Sequence, residues 1–143
     1  MRARRIGAAT PAVLGWKYSL HHRPEDSTAL RLVVELVYDA GCPNVDKARA
    51  VLSRALQEAG APAVWTEWCA DDPSLPETHV GLGSPAILVN GKDVAPGPHP
   101  WAPRLTGQGP RCRIYRDGSH LSGAPPVSLV LAAIMRVLEP DVV

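Results

Sequence analysis

The chain has no phenylalanine, and aromatic residues make up only 5% of it. Its core must therefore come from Val, Leu, Ile and Ala, with a few of the 4 Trp. No apolar run approaches the roughly 18 residues that a membrane-spanning helix needs. Neither sign of charge dominates: 15 Lys+Arg against 14 Asp+Glu leave a net charge of +1. Nothing in that balance points to nucleic acid or an acidic membrane as partner. Cysteine is scarce and odd in number, 3 in all. That excludes a disulfide framework and fits a reducing compartment, so the expected location is the cytoplasm. There is no phosphate-cradling glycine loop, no dinucleotide fingerprint and no Ser/His/Asp set; Gly81 and Gly83 precede a strand pattern, not a helix. The cysteines with His79 or His99 lack the paired spacing of a zinc site. No metal and no cofactor are expected.

What is present suits one domain: 143 residues, 45% of them hydrophobic. The 15 Pro and 12 Gly predict much loop. Residues 1–30 read as a flexible N-terminal extension and 31–143 as the folded domain. Met1 to Gly15 loosely imitates a signal peptide, but Pro11 interrupts its apolar part and no small-x-small cleavage site follows. It reads as a basic, mobile tail. The His21-His22-Arg23-Pro24 stretch reads as a solvated linker.

Leu32 to Tyr38 predicts a buried strand, with Glu35 near an edge or face margin. Val45, Ala48, Leu52, Ala55, Leu56 and Ala59 share one helical face, and Gly60 is a stop. Ala63 to Cys69 alternates with period two, as a strand does. Together these predict a right-handed β-α-β unit with parallel strands. Ala86 to Val89 predicts a third strand, and Asn90-Gly91 a tight hairpin into Lys92-Asp93-Val94. The Pro-rich run from Ala95 to Arg111 is expected to be a functional or mobile loop. Cys112 to Arg116 predicts a short strand closed by Asp117-Gly118. Val127 to Leu138 predicts a helix, apolar nearly all round and therefore buried or packed on the sheet.

Cys42 stands between the end of a strand and the start of a helix. Pro43 is a natural first helical residue, which makes Cys42 the expected N-cap. Amide hydrogens of the first turn and the positive end of the helix dipole would then favour its thiolate, with a pKa below the ordinary value of about 8.5. The competing reading is a buried, inert cysteine.

The order β-α-β, hairpin, helix resembles the minimal thioredoxin/glutaredoxin arrangement. Cys42-Pro43-Asn44-Val45 resembles the glutaredoxin C-P-x-C motif with Val45 in place of its second cysteine, and Gly83-Ser84-Pro85 resembles the cis-proline segment that faces the active thiol. From Leu32 to Ile134 the chain is similar to a group of small bacterial thioredoxin-like proteins. The shared stretches are Gly41 to Asn44, Gly83 to Pro85, Cys112 to Tyr115 and Gly123-Ala124-Pro125. That group is sometimes labelled alkylmercury lyase or mercury-resistance accessory. The resemblance implies a thioredoxin-like α/β fold. It implies catalytic Cys42, with Pro43, Asn44, Ser84 and Pro85 against substrate, the Ser84 backbone aligning an extended segment.

For Cys112 two readings stand: a partner of Cys42, its thiolate favoured by Arg111 and Arg113, or an ordinary strand cysteine. Cys69 is the other candidate partner, since both thiols fall at one sheet edge. Asp39 reads as a proton carrier beside Cys42 or as a turn residue bonding the backbone ahead. Three functions follow. One is thiol–disulfide exchange or oxidant reduction at Cys42, with a small thiol or a protein disulfide as partner. The second is soft-metal or mercury handling by two thiolates. The third is a non-catalytic interaction module using the Pro-rich loop. The oligomeric state is not legible.

Overall fold

A computed structural model describes residues 4–7, 31–97 and 111–139. The chain is mixed α/β. A five-stranded sheet runs β1 (Arg4–Gly7), β3 (Val64–Cys69), β2 (Val34–Tyr38), β4 (Ala86–Val89), β5 (Lys92–Asp93) in spatial order. β2 and β3 are parallel, with Tyr38 opposite Cys69. β4 runs antiparallel to β2 and to β5. Helix α1 (Val45–Glu58) joins the parallel pair, and helix α2 (Val127–Leu138) closes the domain. A separate hairpin, β6 (Tyr115–Asp117) with β7 (His120–Ser122), lies between the sheet and α2 in sequence. Among the described residues no helix is long and apolar enough to cross a membrane.

The apolar faces dictate the layering. α1 buries Val45, Ala48, Leu52, Ala55 and Leu56, the three- and four-residue spacing that makes one stripe. They pack on Val34, Leu36, Trp65 and Ile87 of the sheet and on Val130 and Ile134 of α2. Val37, Ala86 and Leu88 point to the opposite face, where Trp68, Leu75 and Leu82 cover them. α1 stops where Gly60 adopts φ +71. Gly60 then donates to the Gln57 carbonyl and Ala61 to that of Leu56, the paired closure of a glycine-ended helix. The β4–β5 turn has φ +50 at Asn90 and +80 at Gly91, as the two-residue hairpin requires.

Three expectations need correction. Glu35 is on the central strand, not at a margin: its carboxylate accepts from Trp68 Nε1 (2.8 Å) and lies 3.0 Å from His79 Nε2. Cys112 to Arg116 is not one strand; Cys112 makes an isolated parallel bridge to Ser84, and the strand proper begins at Tyr115. Cys42 is not the N-cap; Asn44 is, with α1 beginning at Val45. Of the two expectations for α2 the packed one holds: Val130 and Ile134 are buried in one cluster with the sheet, while Leu129, Leu131, Val137 and Leu138 are partly covered. Within the stretch read as a tail, Arg4–Gly7 pairs antiparallel with β3, Ile6 opposite Trp65. The remainder of residues 1–30, and 98–110 of the Pro-rich loop, lie outside the described residues.

Candidate functional site

Cys42 is held by a turn, not by the helix. Its N–H donates to the Asp39 carbonyl (3.1 Å), and Gly41 takes φ +81 to close that turn. Pro43 and Asn44 follow before α1, whose first intrahelical bond runs from Ala48 N–H to the Asn44 carbonyl (3.0 Å). The positive end of the helix is met by Asp46, whose carboxylate pairs with Arg49 at 2.7 Å. The Asn44 side chain lies over Gly123, close enough that any Cβ at position 123 would collide with it. The expected substrate contact at Asn44 is thus at least partly a packing contact, while Pro43 is exposed.

Cys112 reaches the same place from far along the chain. Ser84 N–H donates to the Arg111 carbonyl (2.8 Å) and Arg113 N–H to the Ser84 carbonyl (2.8 Å), which fixes Cys112 directly beside Ser84. The Asp39 carboxylate accepts the Arg111 N–H, tying this segment to the Cys42 turn. Asp39 is therefore a long-range latch, where the sequence offered a proton carrier or a local turn former. The outcome is a pair of thiols with sulfurs 3.8 Å apart, not joined by a disulfide. Each cysteine is 9% exposed. Ser84 is fully buried, and its hydroxyl has no hydrogen-bond partner among the described residues. Bridged positions on neighbouring strands project to one face, so this hydroxyl is on the Cys112 side.

Two further side chains pin the site. Arg113, 1% exposed, pairs with Asp93 (2.8 Å) and donates to the Ala95 carbonyl. Its guanidinium lies 4.9 Å from the Tyr115 ring centroid. The expected assistance of Arg113 to a Cys112 thiolate is accordingly diverted, because Asp93 neutralises it. The Tyr115 hydroxyl donates to the Pro85 carbonyl, and the Ser84–Pro85 peptide bond is cis. Burial pushes the Tyr115 phenol well above its usual range; Arg113 opposes this, while Asp93 and Cys42 add to it. Tyr115 thus stays a neutral donor.

Cys69 is half-buried, in register with Tyr38, and the sulfur pair forms without it. His79 belongs to the Glu35 and Trp68 network on the opposite face, with Thr78 Oγ1 at 2.9 Å. His99 lies outside the described residues. Among the described residues no three His, Cys, Asp or Glu side chains converge to hold a metal ion. The anchor that sequence reasoning missed is Asp93; its only signal was a carboxylate in the returning strand of the Asn90-Gly91 hairpin.

Compared with known proteins, the chain matches no family model, and no curated protein or solved structure is significantly similar to it.

Proposed function

We propose that this is a thioredoxin-like dithiol protein that reduces disulfides with Cys42 and Cys112. The reading is carried by the 3.8 Å separation of two sulfurs that are 70 residues apart in sequence. A disulfide needs about 2.05 Å, so the sulfurs have only about 1.8 Å still to close. The strand order β3-β2-β4-β5 and the final helix agree with the arrangement the resemblance implies.

Cys42, as thiolate, attacks one sulfur of the substrate disulfide, and the first substrate thiol leaves. Cys112 then attacks the Cys42 sulfur of the mixed disulfide, and the second thiol leaves. The Cys112 proton and one proton from solvent end on the two product thiols, and the protein ends as a Cys42–Cys112 disulfide. Two molecules of a small external thiol return it to the dithiol, the first forming a mixed disulfide and the second releasing it as their own disulfide, which suits the cytoplasm. Cys112 thereby takes the place of the second cysteine that Val45 lacks.

The test is trapping. Cys112→Ser incubated with cystine should stall as a mixed disulfide on Cys42, read by peptide mass. Cys42→Ser should carry little adduct on Cys112. Equal adduct formation on Cys112 in that variant removes the assignment of Cys42 as attacking thiol.

A second reading is soft-metal binding by the same pair. A linear S–metal–S site with Cys112 as second ligand, the expected form, would need sulfurs about 4.6 Å apart for bonds of about 2.3 Å, so at 3.8 Å the pair would hold an ion at a bent angle. Loss of mercuric or cadmium ion binding in both single cysteine variants, by equilibrium dialysis, would support it.

A further inference from the structure

Resting on the dithiol reading, we propose that Arg111–Arg113 occupies the place of a substrate strand and restricts the site to small, non-peptidic disulfides. An extended polypeptide is aligned by adding a strand to a sheet edge with free N–H and carbonyl groups. The edge beside the thiols is the backbone of Ser84, and both of its groups are taken: its N–H by Arg111 and its carbonyl by Arg113, each at 2.8 Å. The expectation that Ser84 aligns an incoming segment is thereby replaced. The segment it aligns is the protein's own, and that segment presents Cys112 to Cys42 much as a substrate would present its sulfur.

This internal strand is anchored at both ends. Asp39 holds the Arg111 N–H. Arg113 is buried in an ion pair with Asp93 and against the Tyr115 ring, so displacing it would strip a charge from its partner inside the protein. Each cysteine is left only 9% exposed. A low-molecular-weight disulfide needs only the exposed edge of Cys42 and leaves the bridge in place; a polypeptide aligned as an added strand would have to unzip it. The substrate class is the oxidised form of a small cellular thiol, reduced to two thiols as the dithiol becomes a disulfide.

Two reduced-protein assays decide this, run side by side with cystine or hydroxyethyl disulfide and with insulin. Wild type should reduce the small disulfides and act on insulin at least about 100-fold more slowly, since two backbone hydrogen bonds and a buried ion pair must first be lost. Asp39→Ala, which removes the latch, should narrow that gap. Comparable wild-type rates on both substrates overturn the restriction and leave the dithiol reading intact. Failure to reduce either overturns the dithiol reading and the restriction with it. Amide hydrogen exchange gives a readout apart from activity. Protected Ser84 and Arg113 amides in the reduced protein are expected, and exchange as fast as an open loop overturns the docked strand.

Discussion

Oxidising the sulfur pair should stabilise the fold by an amount that follows from its position in the chain. Cys42 and Cys112 are 70 residues apart. Closing a loop of that length in the unfolded chain lowers its entropy by an amount worth about 4 kcal/mol at 25 °C. Drawing the sulfurs in from 3.8 Å consumes part of this through distortion of the Asp39–Cys42 turn and the Ser84 bridge, leaving a gain of about 2–4 kcal/mol. For a chain of 143 residues each kcal/mol moves the melting temperature by roughly 3–4 °C, so the oxidised form should melt about 10 °C higher. The assay is thermal unfolding followed by far-UV circular dichroism, reduced against diamide-oxidised, in a Cys69→Ser background that removes the third thiol. Peptide mapping must locate the bond between residues 42 and 112. If mild oxidant forms no such bond in the native protein, or the bonded form melts no higher than the reduced one, the two sulfurs are not a working pair.

The ion pair between Arg49 and Glu67 makes a second prediction. The Glu67 side chain is 1% exposed and accepts two bonds from Arg49 at 2.8 Å and one from Trp65 Nε1 at 3.0 Å. Arg49→Leu should cost about 3 kcal/mol in urea unfolding, and a cost under about 1 kcal/mol would show that water reaches the carboxylate. At Tyr115 the folded phenol titrates above its unfolded value of about 10, so its contribution is complete below that pH and is lost as pH climbs through the higher folded value. Wild-type stability should therefore fall between about pH 10 and higher pH, and Tyr115→Phe should lack that fall. At neutral pH the same substitution should cost about 1–3 kcal/mol, because the Pro85 carbonyl loses its donor. Gly123→Ala should cost about 1–3 kcal/mol through collision with Asn44, and Asn44→Gly in the same chain should recover much of it; purely additive losses would disprove the contact.

Local pattern made much of this architecture readable. The apolar run at Val34–Tyr38, the three-and-four spacing of α1 and the Asn90-Gly91 turn each encode their own conformation. What escaped depends on partners distant in sequence. Glu35 looked misplaced in an apolar strand because its donors, Trp68 and His79, are 33 and 44 residues away. Asp117-Gly118 was recognisable as a turn, with Gly118 at φ +62, but β7 is three residues long and has one large apolar side chain, Leu121. Cys42 looked like a helix cap because Pro43 suits a first turn; the Asp39–Cys42 turn instead uses the Cys42 N–H and delays the helix. Cys112 was one of two possible partners for Cys42 because no local rule says which strand lies beside Ser84. The bridge to Arg111 and Arg113 answers that, and only the folded chain contains it.

The four residues of β1 have a consequence outside the dithiol altogether. They cap the outer ladder of β3, whose own residues include two tryptophans, while the far side of the sheet ends in a two-residue β5 too short to recruit anything. Shortening the chain to begin near residue 31 would bare a row of unsatisfied amides and carbonyls along β3. Such a protein should keep its thiol chemistry yet dimerise or clump through that exposed strand as its concentration is raised.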